Sequence, residues 1–145
     1  MYDSFSQDVK NEICSFRHKN RCCKISLLYG MLFGMNIEQN DRITLENENP
    51  SVVILYIKLI KELCSLKNES DISLIDITDE RIIQRLNSLF ESGSFMLLND
   101  NIFKCEECLR AFIRGAFLTC GTITYPKSSY HMEFLLKDKE RASFL

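Results

Sequence analysis

The chain has few of the residues that mark a specialised class of protein. It has no tryptophan, two prolines, two histidines and five glycines among 145 residues. The glycines do not have the spacing of a phosphate-binding loop. No apolar run reaches the roughly 18 residues of a membrane span, and the polar, acid-containing N-terminus is unlike a signal peptide. We therefore expect a cytoplasmic protein with no membrane partner.

The composition favours one compact domain with a mixed surface. Hydrophobic residues make up 46% of the chain and charged residues 26%, which is enough apolar surface for a core. The net charge of −2 does not indicate a nucleic-acid binder. The charge is uneven, however, because "RHKNRCCK" at 17–24 contains basic residues and no acid.

The basic segment has two interpretations. A solvated charged face is the ordinary one, and an edge that contacts phosphate is the alternative. Under the alternative, the predicted nucleic-acid contacts are Arg17, Lys19, Arg21, Lys24 and Lys127.

Cysteine is the residue that the chain has in excess, with seven in all. The odd number and the absence of an export signal indicate reduced thiols. Cys105-x-x-Cys108 has the spacing of a zinc-ligand pair, and Cys22-Cys23 forms a second pair. Because adjacent cysteines do not easily bind one zinc together, we favour buried free thiols and predict no metal and no cofactor. A metal or redox pair is the alternative.

Periodicity predicts a mixture of helices and short strands. The predicted helices are 4–16, 21–35, 50–66, 79–90 and 109–120, and the predicted strands are 42–47 and 72–77. We expect the third helix to bury Val53, Ile57, Ile60 and Leu63 or Cys64. We expect the last helix to bury Leu109, Phe112, Ile113, Ala116, Phe117 and Cys120. Gly121 is interpreted as a C-terminal cap, followed by a β-hairpin with its turn at 125–129.

Four polar side chains outside the basic segment have ordinary interpretations. Arg110 and Arg114 lie on the polar side of the last helix, where we expect them in solvent. His131 and Glu133 alternate with apolar residues, which is typical of a solvated strand face. A catalytic pair would need a pocket and a nucleophile.

Two segments of the chain have similar patterns. When 23–36 is laid over 108–121, Cys23 matches Cys108 and Gly30 matches Gly115. A glycine inside a helix costs about 1 kcal/mol against alanine, so two matched glycines need a reason. We predict that the two helices pack together with Gly30 and Gly115 at their crossing. A chance glycine facing a bulky core residue is the alternative.

"IRGAFLTCG" at 113–121 resembles the LAGLIDADG motif of homing endonucleases, and "LYGMLFGMN" at 28–36 resembles a degenerate first copy. "SFSQDVKNEI" near the start and the stretch 108–134 resemble the WhiA family of bacterial regulators. The resemblance implies an α+β fold with an αββαββα repeat.

The same resemblance implies a domain organisation. An N-terminal helical segment would occupy 1–20, and a degenerate LAGLIDADG-like domain would occupy 21–145. Within that domain, the first repeat would span about 21–100 and a truncated second repeat about 101–145. The family's helix-turn-helix domain would be absent.

The resemblance also implies a function. WhiA-like proteins are DNA-binding regulators of sporulation or cell division, which implies a nucleoid-associated location in the cytoplasm. The endonucleases bind their catalytic metal through the last acid of each motif, but the matched residues here are Met35 and Cys120, which cannot hold magnesium. The hypothesis is a non-catalytic N-terminal domain of a transcription regulator, not an enzyme, that makes weak contacts with the DNA backbone. The alternative is an interaction module that binds a protein partner, or the family's own helix-turn-helix domain, and does not contact DNA.

Overall fold

The computed structural model describes residues 4–35, 42–66, 74–90, 100–124 and 131–136. The helices in these ranges are α1 (Ser4–Ser15), α2 (Arg21–Phe33), α3 (Pro50–Leu63), α4 (Glu80–Leu89) and α5 (Glu106–Cys120), with a 3-10 turn at Asp100–Ile102. The strands are β1 (Ile43–Thr44), β2 (Asp76–Ile77), β3 (Gly121–Thr124) and β4 (His131–Phe134). This architecture confirms the predicted α+β fold class.

Helices α2 and α5 form the centre of the molecule. Their first turns meet, with the sulfurs of Cys22 and Cys105 3.7 Å apart. Their last turns also meet, because the Thr119 hydroxyl donates to the Met31 carbonyl at 2.9 Å. The two helices therefore run in the same direction along their whole length.

Two small antiparallel sheets accompany the helices. In the first, β1 pairs with β2 so that Ile43 lies opposite Ile77. In the second, β3 pairs with β4 so that Gly121 lies opposite Phe134. The second pair confirms the predicted hairpin, although its expected turn at 125–129 lies outside the described residues.

The predicted buried face of α3 was partly wrong, since Ile60, Leu63 and Cys64 are buried as expected but Val53 and Ile57 are not. The structure buries Val52, Tyr56, Leu59, Ile60 and Leu63. Val53 and Ile57 are only partly buried against the core. The run from 52 to 57 is apolar on all sides, so periodicity alone could not choose which side faces inward.

The predicted face of α5 was also partly wrong. Leu109 and Ile113 are 51% and 39% exposed. The face that meets α2 contains the small residues Ala111, Gly115 and Ala116, which are buried. Small side chains let the helix backbones approach, whereas a hydrophobicity pattern gives them little weight.

Gly121 does not form the left-handed cap that its position predicts. Its φ of −94° and ψ of 151° are extended, and it is the first residue of β3. A Cβ at this position would overlap the ring of Phe117. The glycine is therefore needed for close packing of the helix-to-strand junction.

Helix α1 packs against the second sheet and α5. The Ile123 backbone N–H donates to the buried Ser6 hydroxyl at 2.9 Å. The Lys10 ammonium lies 5.7 Å from the centre of the Phe117 ring. None of the described helices is both long and apolar enough to cross a bilayer.

Candidate functional site

Gly30 and Gly115 lie where α2 and α5 cross, backbone against backbone. A Cβ on Gly30 would overlap the Phe112 carbonyl oxygen and lie 2.9 Å from the Ala116 nitrogen. A Cβ on Gly115 would overlap the Leu27 carbonyl oxygen and lie 2.9 Å from the Met31 nitrogen. Leu27 and Met31 match Phe112 and Ala116 in the sequence repeat, so the two halves of the crossing are equivalent.

The C-terminal ends of α2 and α5 present a thioether and a thiol where the endonuclease motif has acids. Met35 is buried and Cys120 is half-buried. Burial raises the pKa of the Cys120 thiol to about 11, against the opposing effect of the nearby Lys10 charge. Burial also lowers the pKa of Lys10. Neither Met35 nor Cys120 supplies the oxygen ligand that Mg²⁺ requires.

The basic segment forms the connection between α1 and α2 and the first turn of α2. Arg17 and Lys19 are exposed and make no ion pair within the described ranges. The Arg21 guanidinium donates to the Leu63 carbonyl at 3.4 Å. The Lys24 ammonium pairs with Glu62 at 3.0 Å. Two of the five predicted contacts, Arg21 and Lys24, therefore help to hold α2 against α3, and Lys127 lies outside the described residues.

The same segment is held against α5 by Arg114. The Arg114 guanidinium lies 4.6 Å from the centre of the Phe16 ring, and its Nη1 lies 3.4 Å from Nε2 of His18. Burial, together with the Arg114 charge, lowers the pKa of His18. The expectation that Arg114 faces solvent was therefore wrong, whereas Arg110 forms an exposed pair with Glu107. Nothing in the sequence pattern links residue 114 to residues 16 and 18.

The basic segment and the degenerate motif ends lie at opposite ends of the helix pair. Arg17 and Lys19 precede α2, whereas Met35 and Cys120 follow or end the two helices. A helix of 13 residues such as α2 is about 20 Å long. Contacts made by Arg17 and Lys19 would therefore lie at the opposite end of the helix pair from Met35 and Cys120.

Four cysteines form a cluster that the sequence analysis did not expect. The sulfurs of Cys22, Cys23, Cys105 and Cys108 all lie within 4.8 Å of one another. Cys105 is central, with sulfur–sulfur distances of 3.7 Å to Cys22, 3.5 Å to Cys23 and 3.6 Å to Cys108. The repeat was the signal for this cluster, since it matches Cys23 with Cys108 at the start of two paired helices.

The thiols of this cluster differ in pKa. Burial raises the pKa of Cys22 to about 11 and also raises that of Cys23. Burial acts in the same direction on Cys108, but the nearby Cys105 backbone, the Ser26 hydroxyl and the neighbouring thiols favour its thiolate and lower its pKa to about 7. Cys108 therefore ionises more readily than Cys22 and Cys23.

The hairpin carries a solvent-exposed ion pair. His131 Nε2 lies 2.7 Å from Glu133 Oε1, and both side chains are about two-thirds exposed. Both residues lie opposite threonines of β3. The arrangement fits the expected solvated strand face.

The fold and the helix crossing define the class of the protein, which is a LAGLIDADG-like α+β protein. Residues 109–145 match the family described as the WhiA LAGLIDADG-like domain. The chain is 32% identical to a probable cell division protein WhiA of Clostridium botulinum (strain Hall), over 98% of this chain and 52% of that protein. Proteins of the same name from Clostridium novyi and a Thermoanaerobacter species are 28% and 29% identical, with the same coverage.

These matches confirm the resemblance, and the chain is a relative of the WhiA proteins. It spans about half the length of the curated relatives that it matches. No solved structure matches it.

Proposed function

We propose that the chain is a non-catalytic LAGLIDADG-like domain of a WhiA-like transcription regulator of sporulation or cell division. In this proposal, residues 1–20 form a helical segment, and 21–145 contain one repeat and part of a second. The relatives are named as probable cell division proteins, which supports a role in that process. A regulator of this kind would act in the cytoplasm at the nucleoid.

The absence of catalysis is supported by Met35 and Cys120. Cleavage of a phosphodiester by this class of site needs carboxylates to hold divalent metal ions. The ends of both helices instead carry sulfur, and the Cys120 sulfur lies near the ammonium of Lys10. Supercoiled plasmid incubated with the chain and Mg²⁺ should therefore remain uncut. Metal-dependent cleavage that co-purifies with the folded chain would contradict the proposal.

The contact with DNA rests on the exposed side chains of Arg17 and Lys19. They lie in a segment without acids, and their charges are not neutralised by an ion pair in the described part of the chain. Lys58 lies beside them in the wall of an open groove between this segment and α3. Such cations would contact phosphates, which gives salt-dependent affinity without sequence choice.

The test measures binding of the whole chain to a labelled duplex at several salt concentrations. Arg17→Gln combined with Lys19→Gln should weaken binding to all sequences alike and reduce the slope of log affinity against log salt by up to about 1.8. The matched control is Lys61→Gln combined with Arg81→Gln, which removes the same charge from α3 and α4. Equal effects of the two double variants would remove the basic segment from the proposal.

The second candidate is an interaction module that binds a protein partner or a helix-turn-helix domain. The observation that favours it is the exposed pair Leu109 and Ile113 on α5, together with the net charge of −2. A folded sample that fails to bind DNA at low salt would support this candidate and contradict DNA contact.

A further inference from the structure

Four of the seven cysteines meet at one end of the molecule. Cys22 and Cys23 lie in the first turn of α2, whereas Cys105 and Cys108 lie at the start of α5, more than 80 residues away. Buried free thiols behave as small apolar side chains and have no reason to converge on one another. Cys14, Cys64 and Cys120 are also reduced and lie outside the cluster.

The spacing of the four sulfurs matches a single tetrahedral ion. In a zinc tetrathiolate the zinc–sulfur distance is about 2.3 Å, which places the sulfurs about 3.8 Å apart. The three distances from Cys105 are 3.5, 3.6 and 3.7 Å, and no pair exceeds 4.8 Å. Small side-chain movements would therefore close a tetrahedron around one ion.

The surroundings favour the negative charge of such a group. Four thiolates around Zn²⁺ carry a net charge of −2, and the first turns of two helices stabilise negative charge. Neither Asn20 nor Cys105 caps its helix through its side chain. The Ser26 hydroxyl is fully buried and has no hydrogen bond of good geometry among the described residues. It lies beside Cys108.

We propose that Cys22, Cys23, Cys105 and Cys108 bind one Zn²⁺ ion as four thiolates. Binding would release the thiol protons that remain. The site has four protein ligands and no open position, so its role would be structural. The ion would join the first turns of α2 and α5, at the end of the helix pair opposite Met35 and Cys120. The assignment does not depend on whether the chain contacts DNA.

The first test is the metal content of the whole chain purified under reducing conditions without chelator. We expect about one zinc per chain by mass spectrometry of the metals, in line with one four-ligand site. Removal of the zinc and addition of Co²⁺ should produce the absorption bands of tetrahedral cobalt thiolate, and Zn²⁺ should abolish them. Folded, reduced apoprotein that shows no such bands would overturn the proposal, and stoichiometric iron in place of zinc would overturn the assignment of the ion.

The second test uses matched cysteine variants. Cys105→Ser keeps a residue suited to the N-cap position but removes the central sulfur, and Cys22→Ser removes a partly exposed one. Both should lose the cobalt bands, whereas Cys14→Ser and Cys120→Ser should retain them. Retention of the bands in both Cys22→Ser and Cys105→Ser would overturn the proposal.

The melting temperature supplies a readout that does not need the variants to bind metal. Zinc should raise the melting temperature of the unsubstituted chain, because an ion that binds only the folded state stabilises it. It should leave that of Cys105→Ser unchanged. An equal zinc-dependent rise in both would show that the ion acts elsewhere and would contradict the site.

Discussion

The charge environment of His18 depends on a residue that is distant in the sequence. It lies in the connection between α1 and α2, yet the charge nearest its ring comes from Arg114 on α5. The Phe16 ring contacts both, with its centroid 4.9 Å from that of His18 and 4.6 Å from the Arg114 guanidinium. The three side chains attach the basic segment to the central helix pair.

The first prediction concerns the protonation of His18. Burial and Arg114 both lower its pKa, so Arg114→Ala should raise that pKa towards the ordinary value of about 6.5. A titration followed by NMR would measure the change, and the His131 resonance in the same spectra should not respond to the substitution. A His18 pKa that does not change in Arg114→Ala would contradict the contact.

The sign of the pH effect follows from linkage. Because the pKa of folded His18 is below the value of the unfolded chain, the unfolded chain binds this proton more tightly. The contribution of His18 to stability is therefore fully present above about pH 6.5 and is lost as the pH falls through the folded pKa.

At the scale of elements, the pairing of α2 with α5 depends on residues that lack side chains. Gly30 and Gly115 each face a backbone carbonyl of the other helix. The aromatic rings beside the crossing fill the space that the close approach leaves. Phe112 packs with its ring centroid 5.6 Å from Tyr29, 5.2 Å from Phe33 and 5.3 Å from Phe103.

The second prediction compares three glycine substitutions. Gly30→Ala and Gly115→Ala should each lower the free energy of unfolding by about 1–3 kcal/mol or more, because a Cβ would force two backbones apart. Gly34→Ala should cost less, since its Cβ would overlap a side-chain oxygen of Thr119, which can rotate at the cost of its bond to the Met31 carbonyl, and not a backbone atom. Denaturant unfolding followed by circular dichroism would measure all three. Equal stability of Gly115→Ala and the unsubstituted chain would contradict the close crossing.

At the scale of the whole molecule, a set of asparagines connects elements that are far apart in sequence. Asn49 caps α3 by accepting from the Ser51 N–H at 2.9 Å. Its side-chain amide also donates to Gln7 at 2.8 Å and Asn11 at 3.0 Å on α1. Asn47 accepts from the Asn49 N–H and donates to the Leu118 carbonyl of α5 at 3.1 Å.

The third prediction tests this connection through Asn49. Asn49→Ala should lower the free energy of unfolding by about 2 kcal/mol, because it removes a cap and the bonds that a buried side chain makes to Gln7 and Asn11. Asn49→Asp keeps the oxygen that caps α3 but loses the two donated hydrogen bonds. The decrease in its free energy of unfolding therefore measures the contribution of the contacts with α1. Asp79→Ala is the control, since Asp79 caps α4 by accepting from the Arg81 N–H and makes no contact with α1 among the described bonds. An effect of Asn49→Ala no larger than that of Asp79→Ala would show that the link to α1 contributes little.

Several features of the fold followed from local patterns. The starts of α3 and α4 were predictable because Asn49, Pro50 and Asp79 act within their own turn. The hairpin followed from its alternation. The buried faces of α3 and α5 did not, since Val53 and Leu109 are as apolar as the residues that the core accepts.

Some residues of the candidate site could likewise be identified from the sequence, and others could not. Met35 and Cys120 could be identified from the sequence, because a resemblance to a motif compares residues position by position. The pairing of Lys24 with Glu62 and the meeting of four sulfurs could not, because they depend on where separate helices lie. A shared zinc was disfavoured because Cys22 and Cys23 are adjacent, but the structure places the sulfurs of both within 4.8 Å of those of Cys105 and Cys108.

The sequence by itself determined the α+β class, the starts of the first four helices and the relation to the WhiA proteins. These depend on interactions within a few residues or on similarity along the chain, which the order of residues contains directly. Only the tertiary structure decided which basic side chains remain exposed, that Arg114 faces His18, and that Cys22, Cys23, Cys105 and Cys108 share one site. Contacts between residues more than 80 positions apart form only when α2 and α5 pack together at Gly30 and Gly115. That packing is a property of the folded core.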